Sequence, residues 1–240
     1  APAASAKSAP VAFDQLVDLS DKLDADGKLD WNAPPGRWTL LRFACAVIPG
    51  HENDVDILDA QAVTGHWQRM AQTVISDAGG PGGGLVGKTL THFYSVSWEG
   101  ATPTWTLKLP QEFRRRRGYD IIPHLPALAG FVRGVPATAS DAKESHDRFL
   151  RDYHRTLADC FMDNCYGTLR GLCNQSCLKW HSESGGPWNR KLPSFEHADQ
   201  LAFLGRNDMP QGEFWHPWRG FNRPVAMAAH IYGRPLAAAE

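Results

Sequence analysis

The run Leu178-Lys179-Trp180-His181-Ser182-Glu183 leads straight into Ser184-Gly185-Gly186-Pro187. An alternating run of this kind reads as a short strand, and its two-residue period sends His181 and Glu183 to the same side. The Gly-Gly-Pro loop cannot continue the strand, so both groups stand at its carboxyl end. A carboxylic acid at such a place, shielded from water by Trp180 or Trp188, is favoured in its neutral form, which is what a general acid needs. About one strand–helix unit later, Pro210-Gln211-Gly212-Glu213-Phe214-Trp215-His216-Pro217 repeats that logic. Two carboxylates on neighbouring strands can flank one glycosidic bond, one protonating the leaving oxygen while the other activates water or attacks. Nine tryptophans strengthen a saccharide reading, because several adjoin acids or imidazoles: Trp98-Glu99, Trp180-His181 and Trp215-His216. Indole faces stack on the C–H faces of sugar rings, and carboxylates and imidazoles bind hydroxyls. Trp98, Glu99, His181, Glu213 and Trp215 are therefore the candidate sugar-binding residues.

Positioning these groups requires a parallel sheet. From Leu16 onward strand-like and helix-like segments alternate. Asp24-Ala25-Asp26-Gly27 reads as the turn of a short N-terminal β-hairpin, and Trp38–Val47 as a strand. Helical spacing of Val63, Trp67, Met70 and Val74 predicts a helix over residues 60–78, and Thr89–Trp98 alternates as a strand. Residues 111–118 and 123–132 read as short helices, and residues 140–176 as one long helix or a bent pair. Strands at 178–183, 212–215 and 235–240 enclose helices near 197–204 and 224–232. Strands this far apart cannot form hairpins, so they pair in parallel. The fold class is α/β, and Glu99, Glu183, Glu213 and Glu240 at strand ends favour a (β/α)8 barrel, whose sites lie on that edge. About four or five strand–helix units are present where the barrel needs eight, so the expectation is a partial barrel over residues 13–240. Residues 1–12, rich in Ala, Pro and Ser, read as a linker or disordered.

Other motifs weigh less. Gly82–Thr89 satisfies the phosphate-loop pattern GxxxxGK[ST], which offers a nucleotide-binding module as an alternative function, but that motif needs a helix after it and the next residues alternate as a strand. Arg114–Arg117 sits among Glu112 and Asp120 and reads as a turn of helix whose arginines pair with carboxylates. The acidic turn at Asp24 lacks the spacing of a calcium-binding EF-hand loop. Five cysteines without paired CxxC spacing read as packed thiols rather than a zinc site. A net charge of −1 offers nucleic acid no electrostatic attraction. No segment is apolar for the length a membrane helix needs, so no membrane partner is expected.

Taken in order, several blocks resemble one family. They are Trp38–Phe43, Glu112–Asp120 with Pro123–Pro126, Arg155–Asp159, His181–Pro187, Pro210–Trp215 and Ala229–Pro235. Together they resemble the barrel of the family 106 α-L-rhamnosidases over residues 16–240. The resemblance implies an inverting, calcium-assisted, exo-acting glycoside hydrolase acting on rhamnose-containing polysaccharide, with a carbohydrate substrate and a periplasmic or secreted setting. By motif it makes Glu183 the general acid and Glu213 a ligand for substrate or calcium. It places the base on a later strand beyond Glu240, in a remainder of the parent chain. Should the chain build a closed site by itself, Glu240 is the candidate base. A catalytically inactive carbohydrate-binding fragment is the other alternative.

Overall fold

The computed structural model describes residues 11–12, 15–47, 50, 54–96, 98, 103–133, 139–183, 199–212 and 222–240. Two units are formed, one from residues 1–46 and 113–153, the other from residues 47–112 and 154–240.

In the first unit the expected hairpin turn is present. Asp24 Oδ1 accepts the amides of Asp26 and Lys28 at 3.0 and 2.7 Å, Gly27 takes a left-handed φ of 78°, and Leu23 bridges Leu29 antiparallel. An aspartate that caps its own turn in this way fixes the reversal without help from packing. The strand expected over Trp38–Val47 is absent, and Leu40 and Val47 are mostly exposed. Alternation supplies a pleated face but not a partner, and among the described residues no neighbouring strand closes a ladder on this segment. The two short strands here, β1 (Val11–Ala12) and β3 (Val132–Arg133), pair in parallel. The helix α2 (Leu109–Arg117) carries the arginine run as read, with Arg114 bonded to Asp120 at 2.6 Å. Phe113 and Ile121 are fully buried, and Phe113 meets Tyr119 edge-on at 4.9 Å.

The second unit holds the parallel sheet. Asp59 accepts the amide of Gln61 at 2.9 Å and so caps α1 (Ala60–Asp77). This helix buries Val63, Trp67, Ala71 and Ile75, while Met70 and Val74 are exposed. The buried stripe steps by four from Val63, and the face assigned to Met70 and Val74 is corrected: a continuous i, i+4 row is inside, with Trp67 against Phe93, and burying Val63 and Ile75 contributes roughly 1.5–3 kcal/mol each. The glycine-rich loop after α1 then reverses the chain, and a Cβ on Gly84 would lie 2.4 Å from the Ala78 carbonyl oxygen. Beyond Thr89 the chain enters the strand β2 (His92–Ser95), not a helix. The phosphate-loop reading fails here, since the loop comes after a helix carboxyl end, the negative end of its dipole, and a strand rather than a helix follows it.

After α3 (Leu125–Leu128) the long helical run resolves into α4 (Ala139–Cys160), a π-helical turn at Phe161–Gly167 and α5 (Thr168–Gln175). It leads to β4 (Lys179–Ser182), α6 (Gln200–Leu204), β5 (Met209–Gly212), α7 (Asn222–Ile231) and β6 (Ala238–Ala239). The four strands β2, β4, β5 and β6 lie side by side in that order, all parallel. These four strands advance in one direction across the sheet, an order consistent with part of a barrel. The strand expected at 212–215 lies earlier, at Met209–Gly212, with Pro210 inside it. Pro210 disguised the strand, because proline withholds a ladder donor.

Of the five free thiols, Cys160, Cys165 and Cys173 are buried and Cys45 and Cys177 are exposed. Burial pushes the Cys165 and Cys173 thiols up to about 12, which leaves them protonated and inert. Cys177 is different. It closes α5 at φ 61°, the one non-glycine with positive φ among the described residues, while the Leu178 amide reaches back to the Cys173 carbonyl at 2.8 Å. Glycine suits that left-handed capping position better than any residue with a Cβ. Cys177→Gly is therefore expected to stabilise the protein by about 1 kcal/mol. A raised urea midpoint checks it; a lowered one would show that the thiol's contacts outweigh the strain.

Candidate active site

The pairing register sets Tyr94 of β2 beside His181 of β4 and Ser182 beside Pro210 of β5. Alternation then gives the sheet two unlike faces. Phe93 and Trp180 turn to one side, where Phe93 meets Trp67 at 5.2 Å and Trp180 lies 6.4 Å from Tyr166. Behind them Ser182 donates to Asn207 at 2.6 Å and the Trp180 amide donates to Asp208 at 3.0 Å, both of which tie β4 to the approach of β5. His92, Tyr94, His181, Glu183 and Gln211 turn to the other side.

On that side three groups close a triangle. Tyr94 donates its hydroxyl to Glu183 Oε1 at 2.6 Å, Gln211 Nε2 donates to the same oxygen at 2.7 Å, and Gln211 Nε2 also reaches the Tyr94 oxygen at 3.1 Å. The Glu183 residue is only 2% exposed, whereas Tyr94, which holds it, is 45% exposed. Burial, helped by the bond to Glu183, pushes the Tyr94 phenol up to about 12 against the opposing Gln211 contact. It thus remains a neutral donor. The charge of Glu240 acts on Tyr94 in the same direction, and the Glu240 amide is held to the Gly212 carbonyl at 2.9 Å. The carboxyl ends of β2, β4, β5 and β6 thereby converge on one patch. The His181 ring lies 4.8 Å from Tyr94 and 6.4 Å from His92. Burial lowers the His181 pKa and the nearby His92 adds to this, while Gln211 opposes it. The Nε2 atom of His181 is buried without a hydrogen-bond partner.

Of the residues singled out from sequence, His181, Glu183 and Glu240 come to this edge. Trp98 is half-buried with its indole edge-on to Phe161 at 5.6 Å, beside the π-helical turn. Glu99, Glu213, Trp215 and Trp188 lie outside the described residues. Trp180 does not shield Glu183. Three positions apart on an extended chain, the two side chains leave opposite faces, and Tyr94 takes the shielding place instead. Tyr94 and Gln211 were missed, although the period that paired His181 with Glu183 also pairs His92 with Tyr94. Among the described residues no group of three or more His, Cys, Asp or Glu is placed to hold a metal ion. The calcium expected at Glu213 would depend on donors outside them.

The family model described as alpha-L-rhamnosidase, Glyco_hydro_106, matches residues 1–240. A solved structure, a rhamnosidase from Novosphingobium sp. PP1Y, is similar with a TM-score of 0.73 and 30% identity, over 96% of this chain and 23% of that one. A protein of Formosa agariphila, named "Putative beta-glucuronidase", is 29% identical over 94% of this chain and 19% of its own length. The chain thus spans about a fifth to a quarter of the relatives it matches.

Proposed function

This chain belongs to the glycoside hydrolase 106 family of α-L-rhamnosidases, and on that footing we propose that residues 13–240 form part of the catalytic (β/α)8 barrel of an exo-acting, inverting α-L-rhamnosidase. The observation that carries this reading is the buried Glu183 carboxyl, held at a strand end by Tyr94 and Gln211. Both donors occupy Oε1. Oε2 is therefore the oxygen that holds a proton and delivers it to the glycosidic oxygen as the C–O bond breaks. His181, beside Tyr94 on the same face, is the proposed contact for a hydroxyl of the sugar. Inversion further requires a base about 6.5–9.5 Å from the acid, with a water between them that attacks the anomeric carbon. Glu240, on the same sheet edge, is the candidate among the described residues. Glu99, Glu213 and Trp215 remain proposed substrate contacts, and Glu213 the proposed calcium ligand.

The names of the two relatives point to different sugars, so the test uses both. Full-length protein should hydrolyse an aryl α-L-rhamnoside and leave an aryl β-D-glucuronide untouched, and NMR of the first-formed sugar should show β-L-rhamnose. The α anomer appearing first would replace inversion by retention. Rhamnose binding without turnover would mean a carbohydrate-binding protein in place of an enzyme.

A further inference from the structure

We infer that Tyr94 and Gln211 are positioning residues that fix which oxygen of Glu183 carries the reacting proton. The inference rests on the reading of Glu183 as general acid and deepens it. A tyrosine hydroxyl has one hydrogen to give and a glutamine amide two. The hydroxyl hydrogen of Tyr94 goes to Glu183 Oε1, and the Gln211 amide nitrogen lies within hydrogen-bond distance of both Oε1 and the Tyr94 oxygen. Each contact of the triangle restrains the other two. A proton on Oε1 would bring a third hydrogen onto an oxygen already facing two. Protonation is therefore confined to Oε2, and rotation of the carboxyl, which would exchange the two oxygens, requires breaking two short bonds at once. Among the described residues, His92, His181 and Glu240 are the titratable neighbours elsewhere on this face.

General acid catalysis depends on the proton lying in line with the leaving oxygen, so loss of this restraint should damage proton delivery and spare binding. The test uses full-length Tyr94→Phe, which keeps the ring and removes the donor, and Gln211→Met, which keeps the shape and removes the amide. Each is compared with the unmodified protein on an alkyl α-L-rhamnoside, whose leaving group must be protonated, and on a nitrophenyl α-L-rhamnoside, whose leaving group departs as an anion. Each variant should lose about tenfold in kcat on the alkyl substrate, as expected for a hydrogen bond to an ionisable group, keep KM within about twofold, and lose little on the nitrophenyl substrate. The double variant should lose less than the product of the single losses, because Tyr94 and Gln211 also contact each other, so the first change already weakens the restraint that the second removes. Equal losses on the two substrates, no loss, or a rise in KM alone would overturn the inference. Melting curves identify a variant that fails to fold, and the other variant then carries the test. Glu183→Gln separates the two claims. If it too loses equally on both substrates, Glu183 is not the acid; if it loses selectively and the two positioning variants do not, only the positioning role is wrong.

Discussion

Glu183→Gln is expected to lower turnover of an alkyl α-L-rhamnoside by at least about 100-fold, the lower end of general-acid contributions. Glutamine keeps the size of the side chain and an oxygen that can still accept from Tyr94 and Gln211, so the triangle around it survives. What disappears is a transferable proton. An amide N–H can hydrogen-bond to the leaving oxygen but cannot give up its hydrogen as the C–O bond breaks. The loss should therefore fall on kcat, and it should be largest where the leaving group is a poor anion. Steady-state kinetics on the full-length protein measure it, with a melting curve to show that the fold is intact. Turnover within a few-fold of the unmodified protein would remove Glu183 from the acid role.

The second large effect concerns folding, on the side of the sheet away from the candidate site. Asp208 stands just before β5 and accepts hydrogen bonds from Arg170 at 2.9 Å, from Asn174 at 2.9 Å and from the Trp180 amide at 3.0 Å, with Arg234 a longer contact at 3.9 Å. Burial pushes its carboxyl upward, but the Trp180 amide, Arg170 and Asn174 more than offset this and hold it below the ordinary value. Asp208→Ala would leave a guanidinium and an amide of β4 facing an empty place. Breaking a buried pair from one side is destabilising by about 3–5 kcal/mol, and because Arg170 keeps a third of its exposure the lower end, about 3 kcal/mol, applies. That is a large part of the roughly 5–15 kcal/mol by which domains are stable. The depressed pKa fixes the sign of the pH dependence. The stability Asp208 supplies is fully present above the unfolded value near 3.9, and it is lost as pH falls through the lower folded value. Urea midpoints measured from neutral pH down through this range should fall more steeply at the acid end for the unmodified protein than for Asp208→Asn. Identical acid-side slopes, or an alanine variant of undiminished stability at neutral pH, would show that this cluster is screened by solvent.

Local chemistry was legible in the residues themselves. The Asp24 turn, the helices at 60–77 and 222–231, and the strand carrying His181 and Glu183 all formed where side-chain period and turn residues placed them. These signals are local because a helix or a turn satisfies its own hydrogen bonds within a few residues. Parallel pairing was legible too, since long strand-to-strand connections exclude hairpins.

Partnership was not legible. Trp38–Val47 alternates as well as β2 does, yet only β2 found a neighbour, because a ladder depends on a second segment that the first does not encode. The face of α1 was misjudged for a related reason: Val63, Trp67, Met70 and Val74 all fit a helical period, and only contact with Phe93 and the sheet shows which stripe is inside. The site divides in the same way. The sequence by itself determined that His181 and Glu183 share a side at the end of one strand, since alternation is a property of a single chain. Only the tertiary structure decided that Tyr94, far earlier in the chain, and Gln211, one strand later, would grip one oxygen of Glu183, and that Trp180 would turn away from it. The register between parallel strands sets which side chains meet across them, and that register is fixed by packing over the whole sheet rather than by any residue within the site.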